Sequence, residues 1–473
     1  MSISPSPGNA ISVEIRYENT VGKLSEISKV IAEVGGDINL IDVVSIDRKF
    51  ITRRFRINAA GVDHAKQIED ALRAVAGAEV LDVYDCTFKV HEGGKITVES
   101  TCKVDNAAAL SMAYTPGVAR VCKAIQAEPA LANKYTIKGH TVAVVTDGTA
   151  VLGLGSIGAG AGMPVMEGKA VLFKEFGGVD AFPICLDVDD PKKIIECTKA
   201  LEPNFSGINL EDIKAPACFE VERELTKLMD IPVFHDDQHG TATVVGAAFL
   251  NAIRLTGKKP ENIRLVVSGA GAAGLTCTRI LQSLGIKDII VCNSKGTMYD
   301  GKPGLTVPQQ WLAERTNAEK LDCSLKESLK GADMFLGLSV ANILTREDIL
   351  TMNKDPFIFS LANPTPEVPP EEVADYASII ATGRSDYANQ INNVLCFPGL
   401  FKGLLTAGAK KVTREMQLAA CHAIANVIPE DELRADYIIP SVFDERVSPA
   451  VSEAVYKIAT DPCAPQTPLY FEF

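Results

Sequence analysis

The stretch IRLVVSGAGAAGLTCTRILQSLGIKDIIVCNSKG, residues 263–296, decides how much of this chain must fold. Ile263–Ser268 is a short apolar run with the length and branching of a buried strand. Gly269-Ala270-Gly271-Ala272-Ala273-Gly274 follows at once, and Leu275–Leu284 then reads as a helix ended by Gly285. A second strand is expected over Ile289–Cys292. In that setting each glycine has a separate task. The first permits a tight turn, the second lets a pyrophosphate approach the backbone, and the third lets helix and strand pack closely. The helix N-terminus then faces the phosphates with free N–H groups and the positive end of its dipole. A glycine string alone says little. Between a strand and a helix, with a second strand correctly spaced, it points to a dinucleotide site.

The end of that second strand is where such a site reads the adenosine ribose, and an acid there accepts the 2′-hydroxyl of NAD. This chain has Asn293, followed by Ser294 and Lys295. Without the carboxylate a 2′-phosphate is not repelled, and Lys295 can attract it. NADP is therefore permitted beside NAD.

Upstream, two carboxylate pairs precede helical patterns. Glu211-Asp212 lies in SGINLEDIKAPACFEVE and Asp236-Asp237 in VFHDDQHGTATVVGAAFL. Oxygen ligands with little nitrogen or sulfur suit Mg²⁺ or Mn²⁺. The plainer alternative is that acids ahead of helices stabilise their N-termini. His235 and His239 raise zinc, but no cysteine set or HExxH helix accompanies them. The segment Val144–Asp187 is rich in glycine and carries Lys169 and Lys174, while Tyr114 stands two residues before Pro116. Spacing alone selects none of these three.

At the other end, Ile11–Tyr17, Asn39–Ile46, Phe50–Ile57 and Val80–Phe88 read as strands, with helices over Lys23–Val34 and His64–Val75. That βαββαβ order is ferredoxin-like. The start IRYENTVGKLSEISKVIAEVGGDIN resembles an ACT domain, a small-ligand regulatory module. A polar stretch, His91–Lys95, marks a linker, and the residues after Pro449 read as a short helix and a Pro-rich tail.

Composition sets outer bounds. The chain has 473 residues, 47% of them hydrophobic, and so needs several cores. Twelve cysteines contain no C-x-x-C pair, which argues against a disulfide framework or a thiolate zinc site. A formal charge of −13 argues against nucleic acid as the main partner, and an anionic substrate would need local cations. The first residues, Met1–Pro7, lack the basic start and apolar run of a signal peptide, and no stretch is long and apolar enough for a membrane. A cytoplasmic protein is expected.

Seven motifs then stand together: AYTPGVA, VTDGTAVLGLG, PVMEGKAVLFK, NLEDI, FHDDQHGTA, SLANPTPE and INNVLCFPG, in that order between Ser111 and Arg446. This set resembles the malic enzyme family in its shorter bacterial form. The resemblance implies oxidative decarboxylation of L-malate to pyruvate with NAD or NADP and Mg²⁺ or Mn²⁺. It implies Glu211, Asp212 and Asp237 as metal ligands, Lys169 as general base with a pKa lowered by burial and the cation, and Tyr114 as general acid. Gly269, Gly271, Ala272, Ala273, Gly274, Asn293, Ser294 and Lys295 would hold the dinucleotide. Asn363 would serve both cofactor and substrate, and Asn393 the substrate. Longer members carry an arginine beside the LGLG run where this chain has Ala150. A homodimer or larger assembly is expected, with a small regulatory ligand on the ACT-like module.

The expected architecture is α/β: a ferredoxin-like (ACT) module over residues 1–92, an α/β substrate domain over 93–235, and a Rossmann-type domain with a C-terminal tail over 236–473. Three other readings stay open. They are a malolactic enzyme giving lactate, a metal-independent amino-acid dehydrogenase, and a regulatory ligand-binding protein with inert catalytic domains.

Overall fold

The computed structural model describes residues 5–151 and 153–473. The first four residues of the Met1–Pro7 stretch, and Leu152 within VTDGTAVLGLG, lie outside them. The chain forms two compact units, one running to Val98 and the other spanning Glu99–Phe473.

In the first unit, strands β1 (Ser6–Glu18), β2 (Asp37–Ile46), β3 (Phe50–Ala59) and β4 (Ala78–Asp85) make an antiparallel sheet of order β2-β3-β1-β4. Helices Lys23–Glu33 and Val62–Arg73 complete the βαββαβ order of a ferredoxin-like module. Alternation along the strands turns Val13, Ile15 and Tyr17 of β1 and Phe55 and Ile57 of β3 to one face. Ile27 and Ile31 of one helix, and Ile68 and Leu72 of the other, meet them at four-residue spacing. The strand expected to reach Phe88 stops at Asp85. There the Asp85 carboxylate accepts the N–H groups of Thr87 and Phe88 and caps a short helix, Cys86–His91, which takes Phe88 out of the sheet.

The second unit holds two sheets. In one, β5 (Thr141–Thr146), β6 (Asp180–Cys185), β7 (Gly207–Leu210) and β8 (Val233–His235) run parallel in the order β6-β5-β7-β8. The other has the order β11-β10-β9-β12-β13-β14, from β9 (Arg264–Ser268), β10 (Asp288–Asn293), β11 (Gly296–Thr297), β12 (Met334–Gly337), β13 (Phe357–Ser360) and β14 (Ile379–Thr382). All of its strands are parallel except β11. Leu265, Val266 and Val267 of β9 and Ile289, Ile290 and Val291 of β10 are all buried, which explains their unbroken apolar runs. The chain leaves β9 for β10 on one side and returns to β12 on the other. A crevice opens where the order reverses, at the carboxyl ends of the strands.

A 21-residue helix, Asp236–Thr256, carries the chain from β8 toward the second sheet and is buried on most of its faces. By contrast, no residue of 99–140 is buried, although this segment forms helices Ala107–Ala113 and Val118–Ala127. The last helix is Val447–Thr460, beginning before Pro449, which its first turn tolerates. Among the described residues no helix is long and apolar enough to cross a membrane.

The helix after β9 begins at Ala272, three residues ahead of the sequence expectation, because Ala272–Gly274 already form its first turn. Two glycines permit this. Gly269 has φ 109°, a left-handed value that side chains resist, and a Cβ there would lie 2.4 Å from the Leu338 carbonyl oxygen. A Cβ on Gly274 would lie 2.0 Å from the Gly269 carbonyl oxygen. Gly274→Ala must therefore push the helix off the loop. The expected loss of stability is about 1–3 kcal/mol, read as a lower midpoint in urea. An unchanged midpoint would show that the loop yields freely.

Candidate active site

The acids of the first parallel sheet gather at the carboxyl ends of its strands: Asp147 after β5, Glu211 and Asp212 after β7, Asp236 and Asp237 after β8. Asp236 and Asp237 occupy the first turn of helix Asp236–Thr256, where free N–H groups and the helix dipole favour negative charge. Their place in the first turn fits the plainer helix-stabilising alternative, but no side-chain cap hydrogen bond forms there and Asp236 Oδ2 is bonded to Lys169 and Asn393 instead. That alternative fails for Glu211 and Asp212, because the next helix begins only at Ala217.

Asp212 instead sits in a left-handed turn, φ 55°, which is rare for a residue with a side chain. Its neighbours hold it there. Its N–H donates to Asp237 Oδ2 at 2.8 Å, and its carbonyl accepts the Ala150 N–H at 2.9 Å. Ala150 thus contributes backbone to the acid cluster and no positive charge. One carboxylate oxygen from each of Glu211, Asp212 and Asp237 lies within 4.8 Å of the others. An all-oxygen set of this size and charge fits a hard divalent cation. The zinc alternative loses its basis, since the candidate metal group found among the described residues contains no histidine. His239 Nε2 is bonded to Glu222 at 2.9 Å, and burial drives His235 down to about 4, so its ring is neutral.

Lys169 enters from helix Ala159–Leu172 and is buried. Its ammonium lies 2.6 Å from Asp236 Oδ2 and 2.9 Å from Glu211 Oε1, over the ring of Phe397 at 4.3 Å. The Asn393 amide donates to the same Asp236 oxygen, and Asn209 Nδ2 donates to Glu211 Oε2 at 2.8 Å. Expected site residues from four distant parts of the chain are thus brought together. Burial by itself does not produce the lowered Lys169 pKa expected from burial and a cation together. Burial acts to lower it, but the charges of Asp236 and Glu211 outweigh burial and raise it above the usual lysine value. The acids bear the opposite strain. Burial raises Glu211 to about 7 and Asp236 to about 7. Asp237, although its side chain keeps 36% of its exposure, is raised to about 6, first by lost solvation and then by Asp236.

Two expected residues are exposed. Tyr114 ends helix Ala107–Ala113 and is 66% exposed, in the segment that buries nothing. Lys174 is exposed and pairs with Asp180 at 2.6 Å.

The second sheet supplies a cavity of about 930 Å³, in the range of small-ligand sites. Ser268, Gly269, Ala270 and Gly271 form one wall, with Ala272, Ala273 and Gly274 turning into the helix behind it. Asn293, Ser294 and Lys295 close one end, and Asn293 Oδ1 accepts the Lys295 N–H at 2.8 Å. Pro216 and Phe219, just after the acid cluster in sequence, form part of the lining. Asn363, beyond β13, packs against two glycines. Its carbonyl oxygen would lie 3.3 Å from a Cβ on Gly153, and its Nδ2 2.8 Å from a Cβ on Gly383.

Sequence reasoning passed over the role of Asp236, the contact of Asn209 and the buried Glu222. Asn209 was open to discovery, being in β7 and two residues before Glu211, which follows the strand directly and keeps its alternation. Glu222 shows itself only through its buried helical neighbours Phe219 and Leu225.

A cation must displace protons from Glu211 and Asp237 to bind. Because their pKa values are raised to about 7 and about 6, affinity is full above neutral pH and falls as pH drops through that window. The thermal stabilisation given by a fixed divalent-cation concentration should be large near about pH 8 and mostly lost by about pH 5.5. A shift that does not depend on pH would remove these carboxylates as ligands.

Comparison with known proteins accords with both halves. Residues 93–193 match the malic enzyme N-terminal domain and 238–460 the malic enzyme NAD-binding domain. An NAD-dependent malic enzyme of Geobacillus stearothermophilus is 50% identical over 95% of this chain and 96% of its own. A bifunctional malic/malolactic enzyme of Bacillus subtilis is 53% identical over 79% of this chain and 91% of its own. A solved structure of the NAD-dependent malic enzyme of Thermotoga maritima superposes with a TM-score of 0.77 at 47% identity, covering 79% of this chain and 99% of that one. Identity of this depth over nearly the whole length leaves one conclusion: the chain belongs to the malic enzyme family.

Proposed function

We propose that the chain oxidises and decarboxylates L-malate to pyruvate and CO₂ with reduction of NAD or NADP, using Mg²⁺ or Mn²⁺ held by Glu211, Asp212 and Asp237. The observation that carries this reading is the buried Lys169 ammonium, in contact with candidate ligand Glu211 and with Asp236 beside candidate ligand Asp237. We assign residues 93–235 to the substrate half, 236–473 to the dinucleotide half and 1–92 to regulation.

When bound, the cation supplies a Lewis acid for the substrate oxygens, and the nicotinamide supplies the hydride acceptor. The residues of the chain do the rest. With positive charge on Glu211 and Asp237, the negative potential holding the Lys169 proton weakens, so Lys169 can exist as a base. It takes the C2 hydroxyl proton as hydride leaves, giving oxaloacetate. Asp236 and the Asn393 amide keep its Nζ aimed at that proton. After C4 departs as CO₂, Tyr114 returns a proton to C3. Asn363 and Asn393 orient the substrate and nicotinamide amide groups.

Tyr114 can serve only if the segment around it is covered, and this supports a homodimer or larger assembly. Leu110, Met112, Tyr114, Tyr135 and Ile137 are more than half exposed in a stretch that buries nothing, a surface that a second copy would shield. We also propose that the ACT-like module binds a small regulatory ligand. Twelve free cysteines fit a reducing cytoplasm, where nicotinamide dinucleotides are held. The relationship to a bifunctional enzyme keeps a malolactic outcome in view, and lactate among the products is its sign.

Lys169→Ala should depress malate oxidation by roughly 10²- to 10⁴-fold, the usual span for general acid–base groups, while leaving decarboxylation of added oxaloacetate measurable. Tyr114→Phe should slow pyruvate release from oxaloacetate as well. Losses under tenfold in malate oxidation for Lys169→Ala would make it a positioning group.

Cofactor choice should turn on Asn293 and Lys295. Asn293→Asp adds an acceptor for the ribose hydroxyls and repels a 2′-phosphate, so it should favour NAD. Lys295→Ala should weaken NADP more than NAD. A charge-assisted contact of about 1.5–3 kcal/mol corresponds to a change of roughly 10- to 150-fold in the NAD/NADP ratio of kcat/KM. A ratio within about twofold of the parent in both variants would place selectivity elsewhere.

A further inference from the structure

The segment beyond helix Val447–Thr460 has no part in the chemistry above, yet two of its residues, Leu469 and Phe471, are buried. It is fastened first to helix Arg414–Asn426. Thr467 Oγ1 donates to Glu415 Oε1 at 2.6 Å, and Arg414 Nε donates to the Pro468 carbonyl at 3.0 Å. From there Leu469 and Phe471 are 3% and 1% exposed, values foreign to a loose end.

Three elements around the dinucleotide cavity meet this segment. Arg279, on the helix that starts at the glycine loop, donates to the carbonyls of Leu469 and Tyr470 and stacks its guanidinium 3.8 Å over the Phe471 ring. Trp311, three residues beyond cavity-lining Pro308, meets Phe471 edge-on at 5.1 Å. Phe219, itself part of the cavity lining, meets Phe471 at 5.9 Å and Phe473 at 5.4 Å, both edge-on. Phe471 and Phe473 stack on each other at 5.5 Å. Each pair has an offset or edge-to-face geometry that aromatic rings favour.

Phe219 belongs to the half that carries the acid cluster, and Arg279 to the half that carries the glycine loop. Their separation sets whether one dinucleotide can lie on the loop and still reach Lys169. We infer that Leu469–Phe473 is a strap that fixes the width of the dinucleotide cavity, with Phe473 and Phe471 as positioning residues for NAD(P) binding. The inference rests on the dinucleotide reading of that cavity.

Trp311 is the single tryptophan of the chain and lies within the cluster, so its emission reports the packing of Phe471 and Phe473. Full-length protein is titrated with NAD⁺ and with NADP⁺, and kcat and both KM values are then measured. Phe473 is 37% exposed, so Phe473→Ala should fold. Loss of its ring contacts should weaken dinucleotide binding by roughly three- to tenfold, while the malate KM and kcat at saturating dinucleotide stay within about twofold. Phe473→Tyr, which keeps the ring, should restore parental affinity. Dinucleotide affinity unchanged in Phe473→Ala overturns the strap, and so does a malate KM that rises in step with it. A parent protein that binds neither dinucleotide overturns the cavity assignment itself, and the strap with it.

Discussion

One buried contact organises the second unit: the Lys169 ammonium between Glu211 and Asp236. Burying charges is expensive unless they are paired and hydrogen-bonded, and here acids outnumber the base. Glu211, Asp212, Asp236 and Asp237 crowd around a single lysine, and three of them are pushed toward neutrality by burial. The fold offsets this strain through amides from Asn209 and Asn393 and through the Asp212 N–H on Asp237. Such an unbalanced site is poor as a structural ion pair. Its all-oxygen set suits a cation.

The helix that starts at this contact links the two sheets. Helix Asp236–Thr256 begins in the acid cluster and continues into the contact with the dinucleotide helix, where Thr276 Oγ1 donates to the Gln238 carbonyl at 2.7 Å. Metal-side acids and glycine loop are therefore linked through one rigid element, which leaves the geometry between them little freedom. Glu222 serves this link from behind. It accepts the His235 N–H at 3.2 Å and bonds His239 on the other side of the acid pair, holding the strand-to-helix corner.

What could be read from the sequence was local. The strand–glycine–helix order at 263–296 needs only neighbours along the chain, and it stands within a few residues of the expected boundaries. The βαββαβ order of the first unit was legible for the same reason, until the Asp85 cap removed Phe88 from its strand. The site was legible as motifs and not as geometry. Lys169 and Asp236 are 67 residues apart, and nothing in either segment shows that they touch. The upward pull of two acids at contact distance on Lys169 could not be read either, because the balance against burial depends on tertiary positions. Tyr114 shows the converse. Its motif was plain, but the chain alone leaves it in the open.

The central claim is tested most directly by the stoichiometry of the unmodified protein. L-malate is supplied with Mn²⁺ and each of NAD and NADP, and reduced nucleotide, pyruvate and lactate are measured together. One reduced nucleotide and one pyruvate per malate consumed, abolished by chelator and restored by the cation, is the expected result. Malate turnover that survives chelation, or yields lactate with no net reduced nucleotide, would contradict it.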